Sequence, residues 1–144
     1  MKKGILLIIL LFIIILISQI PNYFTFAEVS DVIDGDTIKL KDGKVIRLTG
    51  IDAPETYEPC YEQAKEKLKE LVYRKTIRLE SDWKDKDDYG RLLRYVFVDD
   101  LFVNLEMIRL GLARFKEIPP NKKYSDLFLE TENKARRAGR CIWD

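Results

Sequence analysis

Short stretches of the chain, such as Thr37–Leu40 and Thr76–Glu80, alternate apolar and polar residues with a period of two, the pattern of β-strands that face a core on one side. Strand-like stretches fall within residues 28–51, at Thr76–Glu80 and at Leu92–Val98. The pair Asp42-Gly43 predicts a tight hairpin turn between two of these strands, because such turns need residues that tolerate positive φ.

Helical spacing of apolar residues begins after the strands of residues 28–51. Gly50 predicts a bulge or a close backbone approach at the end of these strands. An amphipathic helix is then predicted over about Pro59–Arg74. We expect two later helices, one capped by Asn104 and running to Leu110, and a last one capped by Ser125.

The order of these elements predicts the fold class. About five strands, with one helix inserted after the third and two more helices later, is the pattern of an OB-fold. At 144 residues the chain has room for one domain. We therefore expect a β-barrel with helices (α+β), a five-stranded OB-fold Greek-key barrel with three α-helices.

Residues 1–27 differ in composition from the rest of the chain. Lys2 and Lys3 precede an apolar run, Gly4–Ile17, and the segment contains no acid. A positive start followed by such a run is typical of a secretory signal, and the run is short for a membrane span of roughly 20 residues. Ala27 offers a weak cleavage site.

We therefore divide the chain into a signal peptide or N-terminal membrane anchor, residues 1–27, and a domain, residues 28–144. Cleavage and anchoring both stay open, and in an anchored form residues 4–20 would contact the membrane. In either case the domain is expected outside the cytoplasm, secreted or anchored at the outer face of the cytoplasmic membrane.

Charge and composition restrict the chemistry. The chain has 25 basic and 24 acidic residues and no histidine, and without Lys2 and Lys3 the acids outnumber the bases by one. Bulk charge therefore gives no support for polyanion binding, and a nucleic-acid site must depend on local basic residues or on a metal. Without histidine, acid–base chemistry near neutral pH falls to carboxylates or metal-bound water.

Two acidic clusters could carry this chemistry. Asp34 and Asp36 lie in a glycine-containing strand turn, and Asp52 and Glu55 lie three residues apart further on. Alone, the first cluster is more typical of a turn and the second of a solvated loop. Together, Asp36, Asp52 and a backbone carbonyl would supply oxygen ligands of the kind that Ca²⁺ prefers. Glu55 could then position or deprotonate an attacking water.

Arg47 and Arg91 are candidate phosphate ligands, because the planar guanidinium group gives bidentate, charge-assisted hydrogen bonds. A lone arginine on a strand more often has a surface or ion-pairing role. Tyr89 could contact a phosphate or sugar or stack on a base, or it could pack against the barrel as a turn residue.

Three motifs follow one another in a recognisable order. They are Asp34-Gly35-Asp36-Thr37, the run Arg47-Leu48-x-x-Ile51-Asp52-Ala53-Pro54-Glu55-Thr56, and Asp88-Tyr89-Gly90-Arg91. Their order and spacing resemble those of the staphylococcal-type thermonuclease (micrococcal nuclease) family, and Arg109–Ala113 is also similar. Each motif is weak alone, but jointly they are specific, and the resemblance covers about Val29 to Trp143.

The resemblance implies a Ca²⁺-dependent endonuclease that hydrolyses phosphodiester bonds of DNA and RNA and leaves 3′-phosphates. The family's roles fall on six residues: Asp36, Asp52 and the carbonyl of Ala53 on the metal, Glu55 on the attacking water, and Arg47 and Arg91 on the phosphate. The family often has threonine at the position of Ala53, and a backbone ligand should survive that change. We expect a monomer with nucleic acid as its substrate.

Two features depart from the family pattern. The loop after Glu55 is short and leads directly into the predicted helix. Near Lys116–Lys123, the tyrosines that help to hold a nucleotide base in the family have no clear match. Substrate affinity and base preference are therefore not explained by the resemblance.

Cys60 and Cys141 are the only cysteines. In an exported protein they would pair, and in the chain-entropy model a loop of this length is stabilised by roughly 4 kcal/mol. The alternative is two free buried thiols.

Two other functions compete with a nuclease. One is a catalytically inactive nucleic-acid- or protein-binding OB-fold module tethered to the membrane, and the other is a surface structural module. A binding-only descendant would be expected to lose part of the candidate set of five residues, which is complete in this chain: Asp36, Arg47, Asp52, Glu55 and Arg91.

Overall fold

The computed structural model describes residues 6–12 and 24–144. Residues 6–12 form a helix, α1, with exposed apolar side chains. Among the described residues, no helix has both the length and the apolar character needed to cross a bilayer. Most of the predicted signal or anchor segment, residues 1–27, lies outside the described residues, and its role in export stays a prediction.

The part of the chain after residue 23 alternates strands and helices. In order, its elements are β1 (Phe24–Asp34), β2 (Thr37–Leu40), β3 (Val45–Leu48), β4 (Ile51–Asp52), α2 (Tyr61–Val72), β5 (Thr76–Glu80), β6 (Leu92–Val98), β7 (Leu101–Phe102), α3 (Val103–Arg109), β8 (Arg114–Phe115), α4 (Ser125–Arg137) and a final 3₁₀ turn at Cys141–Trp143.

The five longest strands close into a barrel. β3, β2, β1, β5 and β6 pair antiparallel in that order. Closure comes from a parallel pairing of β3 with β6, in which Ile46 lies opposite Leu92. β4 and β8 form a separate short ribbon. With α2 after the third barrel strand, the predicted five-stranded OB-fold is confirmed. The three predicted helices are α2, α3 and α4, and α1 precedes the predicted domain.

The first strand begins before the predicted domain boundary at residue 28. Residues Phe24–Glu28 pair with Thr76–Glu80 of β5, while Val29–Asp34 pair with β2. One long strand therefore joins the two halves of the barrel, and the register shifts along its second half accompany its bend.

Helix α2 covers one side of the barrel with the face that its sequence predicts. Ala64, Leu68 and Val72 recur every four residues and are fully buried. Complete burial of a leucine or valine side chain stabilises a fold by about 1.5–3 kcal/mol relative to exposure. This stripe therefore fixes the helix over β1 far more firmly than its helical propensity could.

Two glycines permit close packing beside the acidic motifs. A Cβ at Gly35 would lie 2.7 Å from the Cβ of Ala53 and 2.8 Å from the Cβ of Ala64. Gly50 has a φ of +79°, and a Cβ there would lie 2.5 Å from the ring of Phe128. Only glycine therefore lets the turn at Gly35 pack directly against the segment that carries Asp52.

The structure contains the predicted disulfide. Cys60 and Cys141 are bonded across 81 residues, with their Cα atoms 6.1 Å apart. The bond joins the N-terminus of α2 to the final 3₁₀ turn. It therefore ties the end of the chain to the base of the loop that carries Glu55.

The predicted helix caps are wrong for α3 and α4. Neither Asn104 nor Ser125 is an N-cap, because the cap positions are Phe102 and Tyr124 and neither makes a side-chain cap bond. Asn104 instead lies in the first turn of α3 and is fully buried. Its side-chain oxygen accepts a hydrogen bond from the N–H of Val96 at 2.9 Å, and its amide donates to the carbonyl of Thr49 at 2.8 Å.

Asn104 thus connects a helix, a barrel strand and the loop before β4. Asn104→Ala should leave one buried donor and one buried acceptor without partners, and should lower the free energy of unfolding by about 2–3 kcal/mol in urea denaturation. Asn133→Ala, on the exposed face of α4, is the matched control and should change it by less than about 0.5 kcal/mol. Equal effects of the two substitutions would contradict this role.

Candidate functional site

The candidate residues converge on one surface cleft of about 590 Å³. The turn between β1 and β2, strands β3 and β4, the loop after β4, the loop before β6 and the segment after β8 all contribute to it. Its lining residues are Asp34, Asp36, Arg47, Asp52, Glu55, Tyr89, Arg91 and Lys116. The structure therefore brings together the six side chains that the sequence predicts for catalysis, metal binding and substrate contact. Asp34, in the turn beside Asp36, lines the same cleft.

Asp36 is the most buried acid of the cleft. The turn holds it in place, because Asp34 Oδ1 accepts the backbone N–H of Asp36 at 3.0 Å. One carboxylate oxygen accepts the hydroxyl of Thr37 at 2.9 Å, and the other accepts the backbone N–H of Ala53 at 2.8 Å. The second bond places the Asp36 carboxylate against the backbone of the Asp52–Glu55 segment.

Arg47 lies between the two candidate metal ligands. Its Nη2 is 3.1 Å from Asp36 Oδ2 and 3.0 Å from Asp52 Oδ1, while Nη1 donates to the carbonyl of Leu48 at 2.8 Å. Arg47 is only 6% exposed. A guanidinium this deeply buried needs such partners, because an unpaired buried charge is strongly destabilising.

Burial raises the pKa of Asp36 from its ordinary value of 3.8 to about 6, although the Arg47 cation acts in the opposite direction. The neighbouring charge of Asp34 adds to the rise. The ionised carboxylate is therefore held at a cost in stability, since the protein environment favours its protonated form.

Asp87 orients the Arg91 side chain at the cleft. Arg91 Nε lies 2.6 Å from Asp87 Oδ2, and Asp87 Oδ1 accepts the backbone N–H groups of Tyr89 and Arg91. Burial acts to raise the pKa of Asp87, but its hydrogen bonds to Arg91 outweigh burial and hold that pKa below its ordinary value. Asp87 therefore stays ionised and orients the guanidinium, whose Nη1 points toward Thr37 Oγ1 at 3.4 Å.

Glu55, Tyr89 and Lys116 form the exposed rim of the cleft. Glu55 lies in the loop after β4, where its N–H donates to Glu58 Oε2 at 2.8 Å. The Tyr89 ring is exposed, with the Arg91 guanidinium carbon 5.4 Å from its centroid. It does not pack against the barrel, as the alternative interpretation of Tyr89 required.

Lys116 lines the cleft and Asp87 orients Arg91 beside it, but the sequence motifs include neither residue. The sequence motif begins at Asp88, whose side chain is 95% exposed. Residues 82–88 contain four aspartates, and the sequence does not show which of them contacts Arg91. Lys116 Nζ lies 3.3 Å from Asp52 Oδ1, a contact that depends on the β4–β8 pairing and on a separation of 64 residues.

The donor atoms of the cleft fit a hard divalent cation that keeps much of its water. In the described part of the chain, no three acid, cysteine or histidine side chains are grouped closely enough to hold a metal. Asp36 and Asp52 nevertheless turn oxygens toward the same Arg47 nitrogen. Calcium and magnesium accept carboxylates together with backbone carbonyls and water, and a cation here would relieve the cost of ionising Asp36.

Fold and cleft together define an OB-fold protein with carboxylates and fixed guanidinium groups on one face. The guanidinium groups are hydrogen-bond donors that suit a phosphate ester. Residues 45–144 match the family model described as staphylococcal nuclease homologue. The chain belongs to this family, and nuclease chemistry is the class of hydrolytic activity that its relatives support. The turn at Asp34–Asp36 precedes the matched region.

Named relatives agree with the family assignment. The chain is 39% identical over 125 residues to a thermonuclease of Staphylococcus intermedius, a match that covers 81% of this chain and 74% of the relative. It is 42% identical over 122 residues to an SPbeta prophage-derived endonuclease of Bacillus subtilis, covering 77% and 41%. An uncharacterized endonuclease of Haemophilus influenzae is 33% identical over 147 residues, covering 99% and 79%.

Asp36→Asn should stabilise the metal-free protein near pH 7. Because the pKa of Asp36 is raised on folding, the native state binds more protons than the unfolded state between about pH 4 and pH 6, and its stability falls as the pH rises through that window. The asparagine variant lacks this fall. At pH 7 it should be more stable by about 1–3 kcal/mol in urea denaturation with chelator.

The same variant at pH 3.5 is the control, because Asp36 is protonated there in the native state and the gain should shrink. A variant that is less stable than the parent at pH 7 would show that the pair with Arg47 outweighs the burial of Asp36.

Proposed function

We propose that this protein is a calcium-dependent endonuclease that hydrolyses the phosphodiester bonds of DNA and RNA outside the cytoplasm. The observation that carries the proposal is the convergence in one cleft of Asp36, Arg47, Asp52, Glu55 and Arg91. A thermonuclease and several endonucleases among the relatives support nucleic acid as the substrate.

The two arginines act on the phosphate. Arg91 is held from one side by Asp87, which leaves Nη1 and Nη2 for two oxygens of a phosphodiester. Arg47 presents its guanidinium at the floor of the cleft, between Asp36 and Asp52. Donors fixed in this way stabilise the additional negative charge of the transition state without reorganisation during the reaction.

Glu55 acts on the attacking water from the rim. Its loop is fixed on the C-terminal side of Glu55, by the hydrogen bonds between Glu55 and Glu58 and by the disulfide at Cys60. A carboxylate held there can orient a water toward the phosphorus and take its proton.

Asp36, Asp52 and the backbone carbonyl of Ala53 would hold the calcium ion. Bound there, calcium would act as a Lewis acid on the phosphate and neutralise charge. The chain itself fixes the two carboxylates: the Ala53 N–H and the Thr37 hydroxyl orient Asp36, and Lys116 contacts Asp52 from the rim.

An extracytoplasmic location accounts for two features of the chain. Lys2, Lys3 and the apolar run that follows have the composition of an export signal. The disulfide between Cys60 and Cys141 is of a kind that persists in oxidising compartments. We propose that the barrel is secreted or held at the outer face of the cytoplasmic membrane.

The full chain should digest single- and double-stranded DNA and RNA in millimolar Ca²⁺ and stop when a chelator is added. Glu55→Gln should lower turnover at least about hundredfold, because the amide cannot take a proton. Product gels with Ca²⁺, Mg²⁺ and chelator measure this. Glu62→Gln, on the exposed face of α2, should leave the rate unchanged. Absence of digestion over a range of pH in Ca²⁺ would refute the proposal.

Arg91→Lys should also lower turnover by about a hundredfold, because a point charge cannot reproduce two parallel hydrogen bonds to the phosphate. The variant should unfold at nearly the parent's temperature, which separates a catalytic loss from a folding defect. Arg137→Lys, in the exposed last turn of α4, is the control. A rate within twofold of the parent would remove Arg91 from the reaction.

A further inference from the structure

A second pocket lies on the loop that leads from β5 toward the cleft. It has a volume of about 390 Å³ and is lined by Ser81, Asp82, Trp83 and Lys123. Trp83 is 86% exposed. An indole left in water forgoes the burial that stabilises most tryptophans, and exposed aromatic side chains of this size are characteristic of binding surfaces.

The backbone on both sides of Trp83 is held firmly. Asp82 Oδ2 accepts the hydroxyl of Tyr95 at 2.9 Å and the N–H of Lys123 at 3.3 Å. Lys84 exchanges two hydrogen bonds with the buried side chain of Asn121, at 2.7 and 2.9 Å. The indole therefore projects from a fixed base, as a stacking platform requires.

The loop connects this pocket to the reactive cleft. The N–H of Leu93 donates to the carbonyl of Asp85, and the N–H of Asp87 donates to the carbonyl of Arg91, so the loop runs back along the start of β6. Trp83 and Asp87 are four residues apart, which spans at most about 14 Å. At the 3.4 Å rise of a stacked strand, that distance is no more than about four nucleotides.

Charge does not exclude a polyanion from this path. Three of the loop's aspartates are already engaged: Asp82 by Tyr95 and Lys123, Asp85 by Arg94 at 2.7 Å, and Asp87 by Arg91. Lys123 lines the pocket, and its ammonium group pairs with the buried Glu80. Stacking itself needs no net charge, since every base has an aromatic face.

We propose that Trp83 forms a nucleobase-stacking subsite for single-stranded nucleic acid whose phosphodiester lies in the cleft. The inference rests on the proposed nuclease function. Trp83 and the neighbouring Lys123 would hold one base a few nucleotides from the reactive bond. Residues 116–123 contain no tyrosine that could hold a base. The subsite at Trp83 would supply substrate affinity in their place.

Binding of fluorescein-labelled dinucleotide and nonanucleotide by the full chain carrying Glu55→Gln, in Ca²⁺, tests the subsite. Trp83→Ala should weaken binding of the nonanucleotide by about five- to hundredfold and leave that of the dinucleotide unchanged, because only the longer strand reaches the pocket. Trp83→Phe, which keeps an aromatic ring, should restore most of the loss.

Fluorescence gives an independent measurement. The chain has two tryptophans, so Trp143→Phe leaves Trp83 as the emitter, and the nonanucleotide should quench it while the dinucleotide should not. Equal binding of the nonanucleotide by Trp83→Ala and the parent would overturn the subsite, as would an equal loss at both lengths.

The two proposals fail separately. Digestion by the parent together with binding that does not depend on Trp83 would remove the subsite and keep the nuclease. Length-dependent binding through Trp83 in a chain that cleaves nothing would keep the subsite and leave a binding module.

Discussion

The site depends on the mutual compensation of buried charges in the barrel wall. Arg47 and Asp36 are both withdrawn from water, and the Arg47 cation offsets part of the cost of ionising Asp36 there. The β2–β3 register sets their meeting, since Thr37 pairs with Arg47 and places Asp36 one residue away. A slip of one residue would turn Arg47 to the other face of the sheet and leave Asp36 without its counterion.

Around this pair, the fold assembles the cleft from segments that are distant in sequence. Gly35 lets the acidic turn approach Ala53, β8 brings Lys116 to Asp52, and Asp87 holds Arg91 over the opening. The buried charged groups lower the stability of the fold, and the apolar packing of the core offsets this loss. The cleft therefore exchanges stability for a prearranged set of donors and acceptors, as electrostatic catalysis requires.

The sequence predicted the elements better than the contacts of their polar residues. Apolar patterning located β5 and β6 with the bounds of the structure, because apolar burial dominates strand formation. The prediction that Asn104 caps α3 is wrong. An asparagine at the start of a helical pattern looks the same in the sequence whether its amide caps the helix or bonds to other segments.

The candidate site shows the same contrast between what local sequence predicts and what long-range contacts decide. Asp36, Arg47, Asp52, Glu55 and Arg91 could be named from local motifs, but their assembly rests on long-range packing. Asp87 could not be told from its neighbours, and Lys116 enters the cleft only through the pairing of β4 with β8. Trp83 carried no signal in the sequence, because exposure of an aromatic residue is a property of the folded chain.

The early start of β1 limits where the chain can be processed. Residues 24–27 form part of the ladder with Ile77–Glu80. Proteolysis after Ala27 would strip these residues from β5 and leave a row of unpaired N–H and C=O groups on an edge that carries Ile77 and Leu79. Such an edge invites pairing with another molecule, whereas a cut before Phe24 would release a barrel whose sheet is whole.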